Sequence, residues 1–170
     1  AIYKRCLVHN DDLNPALNAG ALYYAEGHYV TPDDAAAGNG LNNASYRPFA
    51  VGALTSTGYA MTFSGSTVRT QPAIAAWKTQ DPSVNLAIVD VPSDGEFYLG
   101  AKVTDLGGGS YAYEYALHNL NSHRSAGAFS VPVESDAAVT AIGFHDVAYH
   151  SGEPYDGTDW TASEVGDTLR

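Results

Sequence analysis

The sequence predicts an all-β domain, a β-sandwich of Ig-like or jelly-roll type with about nine strands and two short helices in its connections. Three observations predict it. Strand and turn formers dominate: 12 Tyr and 17 Gly stand against 8 Lys and Arg together, so the long charged side chains that decorate helices are scarce. One stretch, Glu96 to Asn119, alternates with period two around a glycine turn. Turn residues also recur at short spacing along the whole chain, whereas βαβ units would set strands against longer helices.

The elements follow in order. Ile2 to Val8 alternates and reads as a strand. Asn10 to Pro15 reads as a turn built from Asx residues and a proline. Ala21 to Val30 is the next strand. Thr31-Pro32-Asp33-Asp34 starts a helix, with Thr as N-cap, Pro at the first helical position and acids in the first turn, and Gly38 stops it. Gly38 to Tyr46 is a loop. Phe49 to Thr55, Tyr59 to Phe63 and Ser66 to Thr70 are short strands. Pro72 to Thr79 is a second short helix. The unbroken apolar run Val84 to Val91 reads as a strand buried on both faces.

Pro92-Ser93-Asp94-Gly95 is a turn. Beyond it Glu96 to Asp105 and Ser110 to Asn119 form a hairpin across Gly107-Gly108-Gly109. Setting Val103 opposite Tyr113 brings Ala101 to Tyr115, Leu99 to Leu117 and Lys102 to Glu114. That register groups the large apolar residues on one face and forms a charge pair on the other, with cross-strand pairs each contributing roughly 0.2–1 kcal/mol. A slip by one residue would put the tyrosines on the wrong face. Ala128 to Val133, with Pro132 marking an edge, Ala138 to Tyr149 and Thr158 to Ser163 complete the strands.

The totals bound the function. A chain of 170 residues is one domain by size, long enough to bury a core without staples. The net charge of −11 leaves no cationic footprint for nucleic acid and disfavours an anionic membrane surface. No apolar run reaches the length of a membrane span. Cys6 is the single cysteine, so no internal disulfide forms, and it reads as a small buried hydrophobe. The chain opens Ala-Ile-Tyr, without initiator Met or signal peptide, which reads as a piece of a longer precursor.

Chemistry concentrates in Gly143 to Trp160. His145, Asp146, His150, Glu153, Asp156 and Asp159 are the residue types of a mixed imidazole–carboxylate metal site. On a regular strand, however, His145 and His150 point to opposite faces, so the segment would have to bend for them to converge. Calcium suits the carboxylate and amide clusters at Asp11, Asp12 and Asn14, at Asp33 and Asp34, and at Glu153, Asp156 and Asp159. The same residues also serve as ordinary turn and helix-start residues. Tyr149, Tyr155 and Trp160 beside these acids are the mix that stacks on a sugar ring, though strand tyrosines usually pack against neighbours. Asn43-Ala44-Ser45 is a glycosylation sequon. No GxSxG or other nucleophile motif stands in the chain.

Tyr111 to Val133, YAYEYALHNLNSHRSAGAFSVPV, resembles the YxYxYxLxN strand, turn and FSVPV strand of uncharacterised secreted bacterial β-sandwich proteins. TPDDAAAGNGLNNASYR and GFHDVAYHSGEPYDGTDW are similar to the same group. The resemblance implies an extracellular or cell-surface setting and brings no catalytic residues.

Three functions are compatible. The first is a structural or assembly module, a subunit of a surface layer or filament. It would associate with copies of itself, the alternating segment with Ile2, Tyr3, Cys6 and Val8 adding to a neighbour's sheet edge. The second is a module binding polysaccharide, with or without calcium. The third is a metal-dependent enzyme on the His/Asp segment.

Overall fold

The computed structural model describes residues 8–145 and 158–170. The protein is mainly β, with about 40% of residues in strands and 10% in helices. The elements in chain order are α1 (Asn10–Leu13), β1 (Tyr23–His28), α2 (Pro32–Ala36), β2 (Ala44–Thr55), β3 (Gly58–Phe63), β4 (Val68–Arg69), α3 (Ala75–Gln80), β5 (Asn85–Val91), β6 (Gly95–Gly107), β7 (Ser110–Asn119), β8 (Val131–Pro132) and β9 (Thr168–Leu169). Two compact units emerge. One runs from Gly20 to Ser125; the other joins the residues up to Ala19 to those from Ala126 onward.

The central unit holds two antiparallel sheets, and both are open. In the first, β2 pairs with β1, β3 and β4; in the second the order is β5-β6-β7. The helix α2 forms where its start signals stand: Thr31 Oγ1 accepts from the Asp34 N–H at 3.4 Å. It ends on Gly38, whose backbone is left-handed (φ 80°). There Asn39 N–H donates to Asp34 O and Gly38 N–H to Ala35 O, both at 3.0 Å, the paired bonds of a Schellman stop. The helix α3 buries Ala76. The Trp77 ring lies on the backbone of Gly100, where an added Cβ would come within 2.8 Å of Cε3 and Cζ3. Glycine at that point of β6 is what lets helix and sheet approach.

The expected hairpin forms in the expected register: Val103 opposite Tyr113, Ala101 opposite Tyr115, Leu99 opposite Leu117 and Lys102 opposite Glu114. Gly107, Gly108 and Gly109 all take positive φ, between 64° and 82°, conformations a side chain would strain.

Several expectations are corrected. The strand β5 is not buried on both faces; Ile88 and Val89 are 57% and 44% exposed. It is an edge strand paired with β6 alone among the described residues, and within it only Leu86 and Val91 are half-buried. The segment Asn10–Leu13 makes a short helix rather than a turn, giving three helices among the described residues instead of two. Residues 138–145 form no strand, and left-handed Ala141 (φ 53°) interrupts the extended backbone there. Residues 158–163 form none either. Pairing moves toward the end of the chain, where Ser163 and Arg170 exchange backbone bonds at 2.7 and 2.8 Å. The strand β9 then pairs with β8, the remnant of Ala128 to Val133. Pro132, which has no N–H to donate, sits in that two-residue strand. The segment Ile2 to Leu7 lies outside the described residues; Val8, at its end, is 47% exposed and not in a strand.

Candidate functional site

The alternation of β7 sorts its residues by face. Ala112, Ala116 and His118 are half-buried, while Tyr111, Tyr113, Tyr115 and Leu117 are exposed. The tyrosine side is therefore the outer side toward the Gly107–Gly109 turn; at its far end Phe97, in the row Val89, Phe97 and Asn119, is buried at 7%. Register carries this face across the sheet: Ala87, Leu99 and Leu117 form one row, Asn85, Ala101 and Tyr115 the next, and Val103 and Tyr113 a third. On these positions Asp105, at the turn end, is the only charged residue. The charges of the sheet gather on the other face, at Asp90, Glu96, Lys102 and Glu114.

That charged face meets α3 and the first sheet. Lys102 Nζ lies 3.0 Å from Asp81 Oδ2 and 3.8 Å from Glu114 Oε2. Asp81 also accepts from Ser83 Oγ at 2.6 Å. The Ser83 hydroxyl first, then Lys102, hold the Asp81 carboxyl down at about 2. Between the sheets, Glu26 of β1 accepts from the Ala73 N–H at 2.6 Å and stands 3.5 Å from His118 Nε2 of β7. Burial alone would raise the Glu26 carboxyl. His118, the Ala73 N–H and the charge of His28 outweigh it and leave the group below its ordinary value. His118 Nε2 is enclosed and has no hydrogen-bond partner; the Glu26 carboxylate is the polar group next to it. A shallow open depression of about 320 Å³ lies beside α3, lined by Gln71, Pro72, Ala75, Lys78, Leu86 and Tyr98.

The segment Asn119-Leu120-Asn121-Ser122 is a lock for the β5–β6 turn. Asn121 Oδ1 accepts from the Glu96 N–H at 2.9 Å and Asn121 Nδ2 donates to Gly40 O at 3.4 Å. Ser122 Oγ donates to Asp94, and the His123 N–H reaches the same carboxylate at 3.2 Å. Asn119 bonds both backbone groups of Ser122, at 2.7 and 3.0 Å. This run is architecture, and its amides and hydroxyl are already committed.

The other sequence candidates distribute as follows. Asp146, Tyr149, His150, Glu153, Tyr155 and Asp156 lie outside the described residues, as do Ile2, Tyr3 and Cys6. His145 and Asp159 are exposed. Among the described residues no three His, Cys, Asp or Glu side chains converge on a common point. Asp11 and Asp33 stand in first turns of short helices. Trp160 is 40% exposed and stacks on Phe144 at 5.6 Å with 14° between planes. Phe144, a partner the sequence reading missed, thus takes one of its ring faces. The Asn43 Nδ2, the atom a glycan would need, donates to Asp34. Among the described residues no helix is long and apolar enough to cross a membrane.

Compared with known proteins, the chain matches no family model, no curated protein and no solved structure.

Proposed function

We propose that this chain is an extracellular structural module that assembles with copies of itself, as a subunit of a surface layer or filament. One observation carries the reading: an exposed apolar sheet face, with Val103, Tyr111, Tyr113 and Leu117 between 40% and 57% exposed and the charges of the sheet, Asp105 at the turn apart, turned away. Contiguous apolar patches of several hundred Å² on a protein surface mark interaction sites. A β-sandwich is then the arrangement in which such a face finds cover, since two packed sheets bury their apolar sides against each other. Among the described residues the outer edge of β7 has no partner strand in its sheet. It is the edge to which the segment with Ile2, Tyr3, Cys6 and Val8 of a neighbour would add, giving an open head-to-tail chain. The resemblance to secreted β-sandwich proteins supports the extracellular setting. Sedimentation velocity over a concentration series tests the reading. Species heavier than the 17.9 kDa chain are expected to grow with concentration; a single species of that mass throughout would overturn it. Removing residues 1–9 is expected to stop chain growth while the β circular dichroism persists.

A second reading, polysaccharide binding, is favoured by the exposed Phe144–Trp160 stack, whose outer ring face could lie on a sugar. Affinity electrophoresis in polysaccharide gels of wild type and Trp160→Ala decides it. Retardation lost in the variant supports it, and equal mobility of both proteins in every gel removes it.

A further inference from the structure

We propose that the outer face of the β5-β6-β7 sheet binds the same face of a second copy, sheet on sheet about a two-fold axis, so that two chains close one sandwich. The proposal rests on the self-association reading and adds to it the surface and the symmetry.

Charge argues for a copy of this chain as the occupant. With a net charge of −11, two copies repel wherever their acids meet. The odd-numbered face is where they can approach, because Asp105 is its only ionisable carboxylate and it carries no Lys or Arg. A two-fold axis running between the sheets and across the strands sends the two Asp105 side chains to opposite ends. The centre of the contact, around Val103 and Tyr113, is then free of charge.

Area agrees. The exposed side chains around that centre are about half accessible: Val103 53%, Tyr111 53%, Tyr113 57%, Tyr115 40%, Leu117 40%. With a buried aromatic side chain covering about 150–250 Å², the three partly exposed tyrosines offer about 200–350 Å² per copy, and with Val103 and Leu117 the face offers on the order of 400 Å². Two copies would bury on the order of 800 Å² through these side chains, the size of a weak, reversible contact. The residue types fit as well. Tyrosines are rigid, cost little conformational entropy and are enriched at interface cores. Twisted antiparallel sheets stack about 10 Å apart with their inner side chains interdigitated, which is the geometry this face presents. The contact is isologous and closes at the dimer, unlike the strand addition that would extend a filament.

The test uses the full chain in three forms: wild type, Tyr113→Glu and Ile88→Glu. Ile88 is as exposed as Tyr113, at 57%, but lies on the opposite face of the same sheet. Sedimentation equilibrium is expected to give a dimer as the first species above the monomer for wild type and Ile88→Glu, and at least 100-fold weaker dimerisation for Tyr113→Glu, because each dimer would bury two carboxylates without partners. Circular dichroism checks the fold; if Tyr113→Glu does not fold, Val103→Glu places the same charge on the directly opposite residue. Monomers at every concentration overturn self-association itself. Association that Tyr113→Glu leaves intact overturns this face alone. Growth past the dimer that Tyr113→Glu abolishes overturns the two-fold symmetry and keeps the face.

Discussion

Val103 and Tyr113 stand directly opposite each other in the β6–β7 ladder, and both are more than half exposed, at 53% and 57%. Cross-strand apolar pairs of this kind usually mark a core face. Here the pair sits on the outer face, and the half-buried face carries alanines, Gly100, Lys102 and His118. The sheet is held from its charged side by α3 and β1, which leaves the apolar side available.

The hold of α3 depends on Gly100. A methyl group there would press into the Trp77 ring at 2.8 Å, with Ile74 Cδ1 at 3.7 Å. Gly100→Ala is expected to destabilise the protein by about 1–3 kcal/mol through overpacking, measured as a lower urea midpoint. Gly108→Ala provides the contrast: space is open around it, and its cost is that of a left-handed backbone, about 1–2 kcal/mol. Only the Gly100 variant should alter the Trp77 fluorescence environment.

Asp81 links α3 to β6 through Lys102. Its carboxyl sits at about 2 in the folded chain against an ordinary 3.8. The folded state thus gains from ionised Asp81 in full above pH 4, and the gain is lost as pH falls toward 2. Asp81→Asn is expected to melt below wild type at pH 5, with most of the difference lost by pH 2, read from thermal unfolding curves.

Glu26 ties the two sheets together through His118 and the Ala73 N–H. Its carboxyl lies below its ordinary 4.5, so its contribution is present above that pH and fades as pH drops through the folded value. Glu26→Gln keeps an oxygen for Ala73 but removes the carboxylate beside enclosed His118. The expected loss is about 1–3 kcal/mol at pH 7, checked by chemical denaturation.

The turn Val91-Pro92-Ser93-Asp94 closes with Asp94 N–H on Val91 O at 3.0 Å. Ser93 is left-handed, φ 63°, at a turn position that favours glycine. Ser93→Gly relieves strain of about 1–2 kcal/mol and returns part of it as unfolded-chain entropy. A net stabilisation of roughly 0.5 kcal/mol is expected, visible as a raised melting temperature.

Local rules made much of the fold legible. Thr31, Pro32 and Gly38 mark the ends of α2 because caps and left-handed stops act within one turn of chain. Gly107 to Gly109 and the charge pair Lys102–Glu114 fix the hairpin register for the same reason. What alternation could not tell was which face of that hairpin turns inward. Tyr113 and Ala112 look like core and surface by hydropathy, yet the long-range contacts of Trp77 with Gly100 and of Glu26 with His118 reverse them. The run Leu86 to Val89 misled in the same way, since an edge position depends on strands elsewhere in the chain. The lock formed by Asn119, Asn121 and Ser122 was visible as a polar turn, but its partners Asp94, Glu96 and Gly40 lie far off in sequence. Of the candidate site, the tyrosine pattern was legible, and its exposure was not.

Nitration of tyrosines, located by mass spectrometry over a protein concentration series, tests the central claim most directly, because it reads the exposure of Tyr113 and its burial by a copy together. The account predicts that Tyr113 is nitrated readily in dilute protein and becomes protected as concentration rises, while half-buried Tyr98 reacts to the same low extent throughout. Protection of Tyr113 at every concentration would contradict its exposure, and equal nitration at every concentration would contradict the contact.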